Sequence, residues 1–172
     1  MKRIIVNSQN LDTKVVDDTV IRVKALMVNK KEELLVVHNN DTYQFPGGHW
    51  KLTESLEETL EREIKEETGI KTSVNTGPFI VIEEYYDNYL NTGKSRCNKV
   101  YYYVVPTDDK PKIEEMSLSD LERKTAFNLF YIPIKDMEQF LKESMENKTI
   151  EKVIAHEMLE VMKEYTRVFI GG

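Results

Sequence analysis

The chain has 172 residues, of which 40% are hydrophobic and 31% are charged, and its formal net charge is −6. This size and composition predict one domain, residues 1–172, with a hydrophobic core of its own. An acidic surface gains nothing from counterion release on a nucleic-acid backbone, which argues against binding to a nucleic-acid duplex. Cys97 is the only cysteine, so an internal disulfide and a cysteine zinc cluster are both excluded.

The N-terminal segment contains an apolar run of three residues, which is too short for the core of a signal peptide. No stretch of the chain approaches the roughly 18 consecutive apolar residues of a membrane-spanning helix. We therefore expect a cytoplasmic protein without a membrane partner.

The first predicted elements are two segments rich in β-branched and aliphatic residues. Residues 19–28 and 33–38 are separated by a polar turn and predict two strands, paired as a hairpin. Residues 41–49 follow as a short extended piece that contains the Pro-Gly-Gly sequence at 46–48. Glycines at such a loop allow the backbone to approach a ligand closely.

The most regular helix signal covers residues 55–68. Ser55 and Glu58 have the spacing of a capping box at the start, and Gly69 is a C-terminal stop signal. Leucine or isoleucine recurs every four residues between them, which predicts one buried face.

Strands are predicted again at 72–86 and 97–105, around a polar connection. Two helices near 134–146 and 148–166 end the chain, and the second has an apolar stripe at helical spacing. The order of strands, helix, strands and helices predicts an α+β protein with a sheet covered by helices, and it argues against a doubly wound nucleotide-binding fold.

The acidic residues of the helix at 55–68 divide into two sets when they are projected at about 100° per residue. With Glu63 at 0°, the buried stripe begins at about 20°, Glu67 falls inside it at about 40°, and Glu66 lies on the same flank at about 300°. The other acids of this helix point away from the stripe and are expected to be solvated: Glu57, Glu58 and Glu61.

Three carboxylates beside apolar surface repel one another, and desolvation raises the cost. Arg62 reaches only one side of the group. A divalent cation would offset the repulsion, and a hard ion such as Mg²⁺ prefers ligands that are all oxygen. These residues therefore predict a metal site at Glu63, Glu66 and Glu67.

The segment from Gly48 to Ile70 resembles the box of the Nudix hydrolases, G-x5-E-x7-R-E-U-x-E-E-x-G-U, in which U is a bulky aliphatic residue. Every fixed position of that pattern is occupied: Gly48, Glu54, Arg62, Glu63, Ile64, Glu66, Glu67, Gly69 and Ile70. The resemblance implies a Nudix-like α/β/α sandwich with a mixed sheet, a box helix and C-terminal helices.

The resemblance also implies an activity, which is hydrolysis of a diphosphate linkage in a nucleoside diphosphate or triphosphate derivative, with water attacking phosphorus. Glu63, Glu66 and Glu67 would hold Mg²⁺ together with the carbonyl group of Gly47, and Mn²⁺ would be a substitute ion. Glu66 or Glu67 would be the general base. The expected partner is a small nucleotide-type substrate, and a homodimer is left open.

Supporting roles are implied for the remaining polar and glycine positions of the box. Glu54 and Arg62 would pair and orient the metal-binding glutamates, and Gly48 would make the close turn. In several members of the family the base or a further metal ligand lies outside the box. Four glutamates of this chain are candidates for that role: Glu83, Glu84, Glu114 and Glu115.

Substrate-binding candidates also lie outside the box. Arg22, on the first long strand, is a candidate for a phosphate contact, and Tyr43 and Phe45 are candidates for stacking on a base. Tyr86 comes sixteen residues after the box, a spacing that resembles the diadenosine-polyphosphate hydrolases. Pro78 comes only eight residues after it, which argues against a likeness to the ADP-ribose hydrolases.

Two other functions remain open at this point. A Nudix-like domain without activity would bind a nucleotide and regulate another process, although such domains usually lose box glutamates that this chain retains. A Nudix-fold isomerase that acts on an isoprenyl diphosphate would be expected to have a degenerate box and a catalytic cysteine near the active site, for which Cys97 is the only candidate.

Overall fold

A computed structural model describes residues 1–39, 42–146 and 149–171. The strands are β1 Lys2–Val6, β2 Asp18–Val28, β3 Glu33–Asn39, β4 Thr42–Gln44, β5 Ile80–Tyr86, β6 Arg96–Pro106 and β7 Asn128–Pro133. The α-helices are α1 Leu56–Thr68, α2 Asp120–Lys124, α3 Met137–Met145 and α4 Thr149–Tyr165. Short 3-10 turns lie at Tyr89–Asn91, Ile113–Glu115 and Ile134–Asp136, and a π-helical segment, Thr166–Ile170, follows α4.

Within the described residues the strands form one mixed sheet in the order β1-β5-β6-β2-β3-β4, and β7 pairs with β3. The central strands β2 and β6 run parallel along the whole of β2. The β5–β6 and β3–β7 pairs are antiparallel, and β1 runs parallel to β5. This parallel pair places β2, which precedes the box in sequence, beside β6, which follows it.

The predicted hairpin of β2 and β3 is present, but the two strands are paired only at Val28 and Leu34. Beyond that point the loop that precedes α1 takes the place of β3 beside β2. The backbone N–H groups of Ala25 and Val23 donate to the carbonyl oxygens of Pro46 and Gly48, at 2.8 and 3.0 Å. This pairing fixes the Pro-Gly-Gly loop against the central strand.

Helices cover both faces of the sheet. On one face Leu60 and Ile64 of α1 belong to a buried cluster with Val23 of β2. On the other face the buried cluster joins α3 and α4 to the alternate residues of the same strands, such as Leu26 and Tyr102. The predicted α/β/α sandwich with a mixed sheet is confirmed.

Helix α1 begins as predicted, with both hydrogen bonds of the capping box between Ser55 and Glu58, and it ends at Gly69 in the left-handed conformation. Of the outer acids that were expected to be solvated, Glu58 is exposed and its carboxylate bonds only within the capping box. Glu57 accepts a hydrogen bond from the Tyr103 hydroxyl at 2.8 Å, and Glu61 accepts one from the backbone N–H of residue 74 at 2.7 Å. These two carboxylates therefore hold neighbouring segments against the helix.

The predicted strand at 72–86 is wrong in its first half, because only Ile80–Tyr86 pairs in the sheet. Val74 packs against α1 instead, and Pro78 has no N–H to donate to a ladder. Neither β1 nor β7 was predicted, and both lie at edges where pairing depends on distant partners. Residue 41 of the predicted extended piece and residue 148 of the predicted last helix lie outside the described residues.

In the part of the chain that the structure describes, no helix combines the length and the apolar character needed to cross a membrane.

Candidate active site

A cleft of about 870 Å³ opens beside the Pro-Gly-Gly loop. One wall is the C-terminal half of α1. The other walls are the face of β2, β5 and β6 that lies towards α4, together with α4 itself and the segment 117–122. The box and residues more than fifty positions away in sequence therefore share one cavity.

The buried carboxylate of the cleft is Glu67, which is 5% exposed. It accepts a hydrogen bond from the backbone N–H of Gly47 at 2.8 Å. Burial raises the pKa of Glu67 to about 7, although the positive charge of Lys24 and the Gly47 N–H act in the opposite direction. Burial also raises the pKa of Glu63, while Glu66 is the most exposed of the three at 39%.

Arg62 holds the other box carboxylates. Its Nε and Nη2 atoms donate to the two carboxylate oxygens of Glu54, at 2.9 and 3.0 Å. Its Nη1 atom donates to Glu63 at 2.6 Å and to Glu66 at 3.2 Å. These bonds raise the pKa of Arg62 and lower that of Glu54. The expected pairing of Arg62 with Glu54 is thus present, and Arg62 contacts one side of the acidic group only.

The two glycines of the loop are required for different reasons. Gly47 has a φ of +133°, and a Cβ atom there would lie 2.1 Å from the backbone oxygen of Val23. At Gly48 a Cβ atom would instead lie 2.4 Å from a carboxylate oxygen of Glu63. A side chain at the first position would collide with the sheet, and one at the second would occupy the space of a box carboxylate.

Lys24 was not predicted from the sequence to belong to the site. A lysine within the apolar run of β2 nevertheless indicates a buried side chain with a charged or hydrogen-bonding partner. Its side chain is 8% exposed, and Nζ donates to the carbonyl oxygen of Gly47 at 2.7 Å and to Gln44 at 2.8 Å. Burial lowers the pKa of Lys24, and the charge of Glu67 opposes that shift. The Gly47 carbonyl, which is expected to be a metal ligand, therefore already accepts a hydrogen bond from the side chain of Lys24.

As the described side chains stand, no three His, Cys, Asp or Glu residues are arranged to hold one ion. Glu63 and Glu66 are turned towards Arg62, and Glu67 is turned towards the Gly47 N–H. The donor set nevertheless fits a hard cation, because it consists of three carboxylates on one helix flank next to a backbone carbonyl.

The four glutamates proposed as candidates outside the box have different positions. Glu84 lines the cleft and accepts a hydrogen bond from the Tyr86 hydroxyl at 2.6 Å. Glu83 points to the opposite face of β5, where it is paired with Arg3 at 2.6 Å and Lys99 at 2.9 Å, so that candidate is wrong. Glu114 and Glu115 belong to the exposed 3-10 turn Ile113–Glu115, and in the described part of the chain neither of them lines the cleft.

The substrate-binding candidates are also divided. Arg22 and Tyr86 line the cleft, and Arg22 donates to an imidazole nitrogen of His49 at 3.2 Å. Phe45 belongs to the lining but is 1% exposed, so its ring is part of the core and is not available for stacking on a base. Tyr43 is absent from the lining and packs against Phe140 of α3, with the ring centroids 4.8 Å apart.

Several lining residues were missed because long-range packing brings them to the cleft. Glu157 of α4 accepts a hydrogen bond from the hydroxyl of Tyr102, and burial raises the pKa of Glu157 to about 7. Glu122 approaches from the other side, and its charge contributes to the raised pKa of Glu67. The segment that carries Glu122 is attached to α1 by a bond from the N–H of Ser117 to the carbonyl of Glu66.

The cysteine expected by the isomerase alternative is not at the site. Cys97 is buried on the face of β6 opposite to the cleft, near Tyr85, and burial raises the pKa of its thiol. A buried neutral thiol on the far face cannot transfer a proton to a ligand in the cleft.

An α/β/α sandwich that places a capped glutamate-rich helix and a Gly-Gly loop at one cleft defines a Nudix-type architecture. A profile of the NUDIX domain matches residues 18–153. The chain therefore belongs to the Nudix family, and the prediction of a Nudix-type hydrolase is confirmed at the level of the family.

Solved structures of the same fold agree with this assignment. A MutT protein from Methanosarcina mazei Go1 is 20% identical, with a TM-score of 0.54 over 87% of this chain and 96% of that chain. A C. elegans Ap4A hydrolase in a binary complex is 18% identical, with a TM-score of 0.54 over 89% of this chain and 99% of that chain. At these identities the likeness is one of fold.

Proposed function

We propose that this chain, acting as one domain, hydrolyses a diphosphate linkage in a nucleoside diphosphate or triphosphate derivative with Mg²⁺ as its cofactor. The observation that carries the proposal is the buried carboxylate of Glu67. Its pKa of about 7 means that the Gly47 N–H and the nearby Lys24 only partly offset burial. A divalent cation would supply the missing compensation.

Cations that line the cleft beside the box favour the binding of a phosphate chain. Arg22 and Lys51 line it together with Lys24, and Arg62 lies next to Glu63. Charge-assisted hydrogen bonds from such groups bind and orient phosphate oxygens. These cations would therefore bind the oxygens of a diphosphate, whereas a neutral substrate has no charged group for them to bind.

Glu63, Glu66 and Glu67 would hold the ion, with the Gly47 carbonyl as a further donor. Bound there, Mg²⁺ would neutralise the diphosphate and lower the pKa of a water molecule. Glu54 orients the arrangement through its bidentate bond to Arg62, and Gly48 leaves room for Glu63.

We assign the general base to Glu66. Its carboxylate is the most exposed of the three, and its bond to Arg62 is the longer of the two that Nη1 makes. It can therefore turn towards a water molecule and accept a proton while Arg62 keeps its contacts with Glu54. Glu67 is held by the Gly47 N–H and is better suited to a fixed ligand role.

The test uses purified protein with Mg²⁺ and a panel of nucleoside triphosphates, dinucleoside polyphosphates and nucleotide sugars. Glu66→Gln is expected to lower kcat by about a hundredfold or more, the usual contribution of a general base. Glu67→Gln is expected to weaken Mg²⁺ binding as well. Removal of Mg²⁺ with EDTA should abolish cleavage, and Mn²⁺ should restore it.

The matched control is Glu58→Gln on the same helix, because glutamine also completes a capping box and residue 58 is exposed. It should leave both cleavage and Mg²⁺ binding at the wild-type level. Absence of cleavage of every diphosphate in the panel, with Mg²⁺ binding unaffected by Glu66→Gln and Glu67→Gln, would refute the proposal.

A further inference from the structure

The charged side chains that line the cleft fall into two groups. The end beside the box carries the cations Arg22, Lys24 and Arg62 together with the three box carboxylates, whose charge Mg²⁺ would offset under the proposed function. The far end, formed by β5 and α4, carries Glu84 and Glu157. These two carboxylates repel each other, Lys24 and Arg22 attract Glu157, and neither acid has a role in the chemistry proposed above. Two carboxylates that hold no metal ion repel phosphate oxygens, so the part of the substrate that reaches the far end is expected to carry no negative charge.

Glu157 presents its carboxylate from α4 into this far end. One of its oxygens accepts a hydrogen bond from the Tyr102 hydroxyl, which fixes the position of the carboxylate over the sheet. A pKa of about 7 shows that this one donor does not offset burial and the charge of Glu84. Further N–H donors from a ligand would stabilise the ionised carboxylate.

Apolar and aromatic side chains line the cleft together with this carboxylate. Ile154 and Met158 lie on the same side of α4 as Glu157 and line the cleft, as do the rings of Tyr86 and Tyr89 on the other side. The two tyrosine rings pack edge to face with their centroids 5.4 Å apart. A flat group with an apolar surface and a polar edge fits between such walls.

An ionised carboxylate can only accept hydrogen bonds, so it selects a ligand edge that consists of donors. Among nucleobases the guanine type has a ring N–H next to an exocyclic amino group, which are two adjacent donors. Adenine and cytosine place an acceptor nitrogen beside their amino group, and uracil places carbonyl groups on both sides of its N–H.

We infer that Glu157 is a specificity-determining residue that binds the ring N–H and 2-amino group of a guanine-type base, with Tyr102 as the residue that positions it. The inference rests on the proposed function, because the diphosphate at the box sets the direction in which the base lies. It assigns the substrate class as a guanine nucleotide.

The test compares GTP with ITP, which differs only in lacking the 2-amino group. The wild-type kcat/KM is expected to be about tenfold to a hundredfold higher for GTP, the range for one hydrogen bond to a charged group. Glu157→Gln should bring that ratio close to one, mainly through KM for GTP. Tyr102→Phe should reduce it by a smaller factor.

The matched control is Glu160→Gln, which removes the same charge from the same helix at a site that faces Lys163 outside the cleft. It should keep the wild-type ratio. Equal kcat/KM values for GTP and ITP in the wild type would overturn the inference and leave the proposed function standing. A preference of the wild type for ATP over GTP would have the same meaning. An equal loss of kcat/KM for GTP and for ITP in Glu157→Gln would also overturn the inference.

Binding of GDP and IDP, measured by calorimetry in the presence of Mg²⁺, separates the two proposals. If no nucleotide is cleaved but GDP binds more tightly than IDP in a manner that depends on Glu157, the inference holds and the proposed hydrolysis fails. If neither cleavage nor binding of any nucleotide occurs, both are overturned.

Discussion

The two adjacent glycines of the loop allow the stability of the fold and the geometry of the site to be perturbed separately. Alanine at Gly48 would place Cβ 2.4 Å from a carboxylate oxygen of Glu63, the end of a flexible side chain. Alanine at Gly47 would place Cβ 2.1 Å from the backbone oxygen of Val23, at a φ of +133° that L-residues rarely adopt. The first collision can be relieved by rotation of a side chain, and the second only by movement of the sheet.

These distances set the size of each effect. To reach an ordinary contact of 3.4 Å, the Glu63 carboxylate must move by about 1 Å, and misplacement on that scale at an active site lowers rates by about a hundredfold. The backbone collision and the unfavourable φ at Gly47 should cost about 3 kcal/mol or more. For a chain of this size that corresponds to a fall in Tm of about 6 to 12 °C.

Thermal unfolding followed by circular dichroism and kcat/KM for nucleotide cleavage report these two effects independently. Gly48→Ala is expected to have a nearly unchanged Tm and a large loss of kcat/KM, whereas Gly47→Ala is expected to lose stability first. Gly77→Ala is the control, since its Cβ atom would meet nothing within 4 Å. A Gly48→Ala protein that folds and cleaves at the wild-type rate would refute the placement of Glu63 in the site.

Two further predictions concern ion pairs. Arg62→Lys cannot keep the bidentate bond to Glu54, so kcat should fall by at least about tenfold and Tm by about 3 to 6 °C; an unchanged kcat would contradict the orienting role of Arg62. The bonds of Glu164 with Arg167 and Lys2 lower its pKa from 4.5 to about 2. Its stabilising effect is therefore complete above about pH 4.5 and is lost as the pH falls towards 2. The Tm difference between wild type and Glu164→Gln should shrink over that range, and a constant difference would exclude Glu164 as the source.

Helix α1 could be predicted from the sequence because all of its determinants are local. Ser55 and Glu58 start it, Gly69 ends it, and the four-residue spacing of Leu60 and Ile64 defines the buried face. The same periodicity placed residue 67 inside the apolar stripe, and the helix does bury that carboxylate. Within this helix, the positions of the side chains relative to one another follow from helix geometry.

The rest of the site could not be predicted, because it depends on which strands become neighbours. Glu83 and Glu84 differ by one position, and only the pairing of β5 with β6 decides which of them faces the cleft. Tyr43 and Phe45 were expected to stack on a base, but the partners of β4 turn one towards α3 and bury the other. Glu157 gave no local signal, since an acid on an amphipathic helix is usually solvated.

The two halves of the cleft therefore differ in how far apart in sequence the residues that form them lie. The box half takes its carboxylates from one helix and its Gly-Gly turn from one loop, and under the proposed function it acts on the diphosphate that every substrate contains. The far half is assembled from β5, β6 and α4, where a single substitution changes the edge presented to a ligand without disturbing the box. Selectivity should therefore respond to substitutions at Glu157 and Tyr102, whereas the bond-breaking step should respond to those at Glu66 and Glu67.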